Sequence, residues 1–235
     1  MKLLAFETAT EACSVAVWVD GEVRERFGIV PRRHAELALP WADALLAEAG
    51  IRKSQLDAVA VGRGPGAFTG VRLGIALAQG IALALDLPVV PVSTLAALAH
   101  GAGSGMEPAR VLAAIDARMG EVYAGAFRID GGAAVALSGE VVVAPDRVEL
   151  PDRQRDWHGV GSGFGAADGA LPRHLGAQLR GVDATALPHA TAVAALAVLA
   201  LGRGEATTAD RLEPAYLRDN VAMTILEQQA FRDAR

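Results

Sequence analysis

Cysteine is almost absent from this 235-residue chain, which contains only Cys13. A single thiol excludes an internal disulfide and a cysteine-based metal cage, and its place on an alternating strand is typical of a small core residue. Lysine is nearly as rare: Lys2 and Lys53 are the only two, so arginine carries almost all of the positive charge. The net charge of −5 argues against a protein that grips nucleic acid unaided. We therefore expect any contact with RNA to be shared with another chain.

Long hydrophobic runs are also missing. The longest nearly uncharged apolar run, residues 73–85, is interrupted by Gln79 and followed by Asp86 and Pro88. It is shorter than the roughly 18 residues that a membrane span requires. The chain begins without the basic and apolar segments of a signal peptide. These features predict a cytoplasmic protein with no contact to a membrane.

The apolar pattern of the first hundred residues predicts an α/β fold. Asp20-Gly21 is a good hairpin turn between two strand-like segments. The predicted elements are strands 2–7, 13–19 and 23–29, helix 33–49, strand 58–61, helix 69–86, strand 88–92 and helix 95–100. This order of a meander followed by crossover helices indicates a mixed sheet with helices on its faces.

The pattern begins again after a candidate linker at residues 101–105. Residues 111–116 resemble 3–7, and Val160-Gly-Ser-Gly163 resembles Val61-Gly-Arg-Gly64. This weak self-similarity predicts two related half-domains, 1–104 and 105–235. The second is expected to be degenerate. Its only strong helical pattern covers 190–201, residues 145–156 indicate a polar loop, and a tail follows from Glu213.

A glycine-rich loop, Gly62-Arg-Gly-Pro-Gly-Ala-Phe-Thr-Gly70, joins the fourth strand to the long helix. Helix N-termini attract anions, and Thr69 is a candidate cap for this helix. The candidate anion-binding residues of the loop are Arg63, Gly64, Gly66 and Thr69. The loop lacks the G-K-[S/T] ending and the G-x-G-x-x-G spacing of known phosphate motifs. A purely structural turn between strand and helix is therefore the favoured alternative.

Glu7 and Thr8 begin a second turn that could contact a nucleotide. Sugar-kinase and actin-like folds carry an Asp-x-Gly-Thr turn at this point, which touches phosphate and metal. Ala9 stands where such a turn needs glycine, and its Cβ would obstruct the approach of a phosphate. The matching turn in the second half, at 116–120, is not rich in glycine either. We expect Glu7 and Asp116 to be strand-end acids that tie the two halves together.

Catalytic and metal-binding patterns are not found. The five histidines form neither an H-E-x-x-H motif nor a pair four residues apart, and no serine lies in a G-x-S-x-G elbow. We therefore predict no metal site, no catalytic residue and no resident cofactor, although residual nucleotide binding stays open.

Two helices carry the stronger signal, because each has more apolar surface than its own sheet requires. In the long helix small residues recur every fourth position, which allows a second helix to approach closely. The candidate partner-binding residues are Gly70, Gly74, Ala78 and Ala82 in that helix and Leu37, Trp41 and Leu45 in the earlier one. Such a surplus of apolar surface predicts an association surface. The alternative is that the two helices cover only each other and the sheet.

Several longer motifs together resemble the TsaB family, also called YeaZ. They are Phe6-Glu-Thr-Ala-Thr-Glu-Ala-Cys-Ser-Val-Ala-Val17, His34-Ala-Glu-Leu-Ala-Leu-Pro40, Val61-Gly-Arg-Gly-Pro-Gly-Ala-Phe-Thr-Gly-Val-Arg72, Pro91-Val-Ser-Thr-Leu95, Ile115-Asp-Ala-Arg-Met-Gly-Glu-Val-Tyr123 and Pro214-Ala-Tyr-Leu-Arg218. They follow one another in order along nearly the whole chain. The chain departs from the family at Glu7, where aspartate is usual.

The resemblance implies two actin-like (ASKHA, ribonuclease-H-type) half-domains with mixed sheets. It also implies a part in forming N6-threonylcarbamoyladenosine next to the anticodon of tRNAs that read codons beginning with A. In that family the chain is a non-catalytic partner of the transferase TsaD, joined by the small ATPase TsaE, and touches tRNA only through the complex. A homodimer in isolation is compatible with this role. An ATP-dependent kinase of the same superfold and, more weakly, a metal-dependent glycoprotease are the alternatives.

Overall fold

The first sheet of the computed structural model, which describes residues 1–103 and 109–218, contains five strands. They are β1 (Lys2–Glu7), β2 (Ala12–Val19), β3 (Glu22–Ile29), β4 (Ala58–Gly62) and β5 (Val89–Val92), in the order β3-β2-β1-β4-β5. The first three form the predicted antiparallel meander, and β4 and β5 run parallel to β1. The sheet is therefore mixed, as predicted.

Two helices, α1 (His34–Glu48) and α2 (Phe68–Leu85), cover one face of this sheet. Leu4 and Phe6 point toward them, whereas Leu3 and Ala5 point to the opposite face, as the alternation of a strand requires. The prediction that Thr69 caps the long helix is wrong. The helix begins one residue earlier, after Ala67, and no side chain caps it.

The second sheet repeats the first. Its strands are β6 (Ala109–Arg118), β7 (Glu121–Asp130), β8 (Ala133–Ala136), β9 (Val141–Val143), β10 (Trp157–Val160) and β11 (Leu179–Asp183). Their order is β11-β10-β6-β7-β8, with β9 also on β7. Strand β6 pairs antiparallel with β7 and parallel with β10, as β1 does with β2 and β4. The two sheets therefore share one topology, as expected of two related halves, and the boundary between residues 104 and 105 stays a prediction.

The second half lacks the helical layer of the first. Between β10 and β11 the one α-helix is α4 (Ala170–Leu175), six residues long, whereas α2, between β4 and β5, has 18. Residues 145–156, which precede β10 as α1 precedes β4, contain no α-helix. The α1–α2 layer therefore belongs to the first half alone.

The two halves exchange helices. Helix α3 (Thr94–Gly103) follows β5 but packs on β6 and β7 of the second sheet through Leu95 and Leu98. Helix α5 (Ala190–Gly202) follows the second sheet but packs on β1, β2 and β4 of the first. The predicted linker at 101–105 is partly wrong, since residues 101–103 continue α3, and residues 104–105 lie outside the described part.

A polar cluster holds the start of α5 against the first sheet. The Ser14 hydroxyl accepts a hydrogen bond from the Ala190 amide at 2.7 Å and donates one to Glu25 at 2.6 Å. His189 Nδ1 lies 3.0 Å from the same carboxylate, and its ring stacks on Phe27 at 4.1 Å between centroids. This cluster fixes the place at which the chain returns to its first half.

Candidate functional site

The glycine-rich loop is folded tightly against the turn between β1 and β2. A Cβ added at Gly66 would lie 2.4 Å from the Ala9 carbonyl oxygen, and one at Gly70 would lie 2.1 Å from that of Thr8. Such distances leave no room for any other residue. These glycines are explained by a close approach of two backbones of the same chain.

Hydrogen bonds join the same two segments. The Ala67 amide donates to the Ala9 carbonyl at 2.7 Å, and the Thr8 hydroxyl donates to the Gly70 carbonyl at 2.8 Å. The backbone of each turn, which a phosphate would have to approach, is thus occupied by the other turn. This arrangement supports the structural alternative for the glycine loop.

Glu7 is buried behind this junction. Its carboxylate accepts hydrogen bonds from the Ala9 amide at 2.7 Å and from the Thr94 hydroxyl at 3.0 Å. Burial raises the pKa of Glu7 to about 7, against these hydrogen bonds, which lower it. A Cβ at Gly62 would lie 1.9 Å from the carboxylate. Glu7 therefore ties β1 to the start of α3 and does not face solvent.

The prediction that Asp116 ties the halves together is wrong. Its carboxylate bonds locally, to the Arg118 amide at 2.8 Å and to the Arg118 guanidinium at 2.9 Å. A nearby hydrogen bond between the halves is made by Ser93, whose hydroxyl donates to Glu140 in the loop after β8. Burial raises the pKa of Glu140, although the Ser93 hydrogen bond and the charge of Arg63 oppose it.

The candidate anion-binding residues consequently divide into two groups. Glu7, Thr8 and Gly64 are buried, and Gly66 lies against Ala9, whereas Thr69 is exposed and Arg63 is half-buried. The first group, Glu7, Thr8, Gly64 and Gly66, lies close together, but it faces the interior of the chain and not solvent. Across residues 1–103 and 109–218, no three histidine, cysteine, aspartate or glutamate side chains are grouped as a metal site requires.

The row of small residues in α2 also faces inward. Gly74, Ala78 and Ala82 are buried, and a Cβ at Gly74 would lie 2.7 Å from the Thr8 hydroxyl and 3.3 Å from Val61. The small residues bring α2 close to its own sheet and to the β1–β2 turn. The expectation that this row meets a partner is therefore corrected, because the chain itself covers it.

The predicted row of α1 is covered in part. Leu45 is buried in the core beneath α1, while Leu37 and Trp41 are half-buried. The Trp41 ring lies against Gly28 of β3, where an added Cβ would be 3.3 Å from it. Leu37 and Trp41 alone of the α1 candidates keep surface that another molecule can reach.

The opposite side of α2 is apolar and exposed. Only 28% of its residues are buried, although the mean hydropathy of the helix is 1.6. Its exposed residues include Ala76, Gly80, Leu83 and Ala84, which we call the α2 face. Leu83 is 70% exposed, and a Cβ at Gly80 would meet no atom within 4 Å. On α1, Leu39 is 44% exposed as well.

By length and composition, α2 is the one helix of the described residues that could cross a membrane. Its five buried residues pack on the first sheet, and its Gln79 side chain donates to the carbonyls of Ala209 at 2.8 Å and Leu212 at 3.4 Å. These contacts explain α2 as a helix of this domain.

A C-terminal segment, residues 209–218, runs from α2 to the second half, and we call it the strap. The Ala215 amide donates to the Arg63 carbonyl at 2.9 Å, and the Tyr216 hydroxyl accepts from Arg72 at 2.5 Å. Arg218 donates to the Ala117 carbonyl at 3.1 Å and to Glu121. Sequence reasoning missed the strap, although the polar row of Arg72 and Gln79 in α2 is the side that it covers.

Comparisons with known proteins show which proteins this chain is similar to. A protein-family model described as TsaD, tRNA N6-adenosine threonylcarbamoyltransferase, matches residues 20–226. The tRNA threonylcarbamoyladenosine biosynthesis protein TsaB of Escherichia coli is 42% identical over 225 residues, which cover 94% of this chain and 96% of that protein. The chain belongs to the TsaB family. The resemblance inferred from the motifs is thereby confirmed.

A solved structure of YeaZ from Pseudomonas aeruginosa agrees with the assignment to the TsaB family. It superposes with a TM-score of 0.86 at 44% identity, over 92% of this chain and 99% of that one. The predicted fold, two halves with mixed sheets flanked by helices, is thus confirmed. The tRNA N6-adenosine threonylcarbamoyltransferase of Nitratidesulfovibrio vulgaris is 32% identical, but the match covers 60% of this chain and 43% of that protein. This chain is thus similar in sequence to part of that transferase.

Proposed function

We propose that this chain is the non-catalytic partner of a TsaD-type transferase. The complex forms N6-threonylcarbamoyladenosine next to the anticodon of tRNAs that read codons beginning with A. The chain stabilises or activates the transferase by packing α1 and α2 against the equivalent pair of helices in the transferase. The observation that carries this proposal is the exposed α2 face, on a helix whose composition is that of a buried one.

The energetics of the α2 face favour a protein partner. Complete burial of a leucine side chain stabilises an association by about 1.5–3 kcal/mol. Leu83 and Leu39 are therefore large contributors, while Ala76, Gly80 and Ala84 allow a facing helix to come close. With no such partner, we expect a second copy of the chain to cover the same face and form a homodimer.

The division of labour follows from the closed glycine loop. Since the β1–β2 turn and the loop occupy each other's backbone, we place phosphate chemistry and any metal on the transferase and on the small ATPase TsaE. The net charge of −5 supports assigning most of the tRNA contacts to the transferase too. The proposed complex acts in the cytoplasm.

A reconstituted modification assay tests the division of labour. The chain, cognate TsaD and TsaE are each omitted in turn, and modified adenosine, ATP hydrolysis and metal bound to this chain are measured. We expect no ATP turnover by the chain alone, and modification only with the transferase present. Saturable ATP hydrolysis by the chain alone would instead favour a kinase-like enzyme.

Substitutions on the α2 face test the interface. We expect Leu83→Arg and Gly80→Arg to weaken binding to TsaD at least 100-fold, because each buries a charge in an apolar contact. Val182→Arg, at an exposed position on the edge strand β11, is the matched control and should bind normally. Gly74 is unsuitable for this purpose, since any side chain there strikes Thr8. Normal binding by both α2 variants would refute the proposed interface.

A further inference from the structure

Three of the five most exposed large apolar side chains of the described residues are linked through the strap, between the first turns of α2 and the β6–β7 turn. They are Phe68 at 68%, Met119 at 85% and Tyr216 at 59% exposure. They come from α2, from the β6–β7 turn and from the strap, which are far apart in sequence. Their linkage is therefore a product of the fold and not of one apolar segment.

Two arginines contact these side chains. The Arg72 guanidinium lies 3.3 Å from the centroid of the Phe68 ring and donates to the Tyr216 hydroxyl. Arg218 lies 3.6 Å from the Met119 sulfur. Tyr216 and Arg218 are two residues apart on the strap, which limits the distance between their Cα atoms to about 7 Å. We call Phe68, Arg72, Met119 and Tyr216 the bridging patch, because it spans both halves.

The charges of the bridging patch decide between a protein and a nucleic acid. Arg118 is paired with Asp116, and Arg218 with Glu121. In the described part of the chain, no carboxylate lies within 4.0 Å of the Arg72 guanidinium, so the patch offers a single uncompensated positive charge. Nucleic acid requires several cations to neutralise successive phosphates. Phenylalanine, tyrosine, methionine and arginine are the residues enriched in protein interfaces.

We infer that the bridging patch extends the transferase-binding surface from the α2 face onto the second half. It would receive an apolar side chain and a carboxylate of the partner. Arg72 lies one turn before Ala76 on the same helix, so the two surfaces are continuous. The guanidinium has five N–H donors, which leaves several free for a carboxylate beside its bond to Tyr216. This inference rests on the proposed function and adds that the partner contacts both halves at once.

Calorimetric titration of the full chain with cognate TsaD tests the inference. We expect Met119→Asn to weaken binding at least fivefold and Arg72→Glu at least tenfold, with Val182→Asn on β11 as the unaffected control. Asparagine is chosen because Met119 has a positive φ of 56°, which asparagine tolerates. As a second readout, hydrogen exchange at residues 117–121 and 214–218 should slow when the complex forms.

The outcomes separate the two proposals. If Leu83→Arg abolishes binding while both patch variants bind normally and residues 117–121 gain no protection, the bridging patch is refuted and the α2 interface stands. If the patch variants keep their affinity for TsaD but the complex loses tRNA, the patch is a nucleic-acid contact and the inference is overturned. Normal binding by the α2 and patch variants alike would refute both surfaces, whereas failure of the unsubstituted chain to bind TsaD would refute the proposed function itself.

Discussion

Replacement of the buried acid Glu7 by glutamine should change how stability depends on pH. Burial raises the pKa of Glu7 from 4.5 to about 7 in the folded chain. Between these two values the unfolded chain loses the proton while the folded chain retains it. The folded state then binds more protons, so the free energy of unfolding falls as the pH rises through this window. Below 4.5 both states are protonated, and the stabilisation is complete.

The magnitude follows from the size of the shift. One pKa unit corresponds to 1.36 kcal/mol, so a shift from 4.5 to about 7 lowers the free energy of unfolding by about 3 kcal/mol between pH 4.5 and pH 8. Glutamine has the shape of glutamate but does not titrate. Glu7→Gln should therefore match the wild type to within about 1 kcal/mol at pH 4.5 and exceed it in stability at pH 8.

Urea unfolding of both chains at pH 4.5, 6, 7 and 8 measures this difference, and other titrating groups cancel in the comparison. Glu22→Gln, at an exposed carboxylate of the same sheet, is the control and should stay within about 0.5 kcal/mol of the wild type at each pH. A difference between Glu7→Gln and wild type that is the same at pH 4.5 and pH 8 would show that Glu7 has the same pKa in the folded and the unfolded chain, and would refute the argument.

Two further substitutions test the packing. Gly70→Ala should destabilise the chain by about 1–3 kcal/mol, because its methyl group meets the Thr8 carbonyl at 2.1 Å, whereas Gly80→Ala should raise stability by up to about 1 kcal/mol. Thermal unfolding distinguishes them, and equal effects would contradict the interlocked turns. The hydrogen bond to Glu25 raises the pKa of His189, so its stabilisation is complete at low pH and is lost as the pH rises through that pKa. His189→Ala should thus cost more stability at pH 6 than at pH 8.5 in urea unfolding, and a greater cost at the higher pH would contradict the ion pair with Glu25.

Much of the fold was predictable because its strands alternate strongly. Strands β1 to β7 follow the apolar pattern closely, and the motif at Val160 indicates β10. Strands β8, β9 and β11 were not predicted. They have three to five residues, are partly or largely exposed, and take their conformation from their neighbours in the sheet. The six-residue α4 is likewise too short for a helical period to be recognised.

The candidate surface was predictable in kind but not in orientation. Helix α2 carries two rows of small residues, Gly70 to Ala82 and Ala76 to Ala84, each with a spacing of four. Periodicity cannot tell which row faces the sheet. That choice is made by Thr8 and Ala9, whose backbone fits only against glycine. The bridging patch was beyond sequence reasoning, because it depends on the path of the strap between the halves.

The exchange of α3 and α5 has a consequence for the growing chain on the ribosome. One face of the first sheet is lined by small side chains such as Ala5, Ala16 and Ala60, which α5 covers. Helix α5 is synthesised about a hundred residues after β5. This face of the nascent first half therefore stays exposed to solvent until α5 has been synthesised. Chain termination or pausing before Gly202 would leave an exposed sheet, so we expect this interval to be when the protein most needs a chaperone.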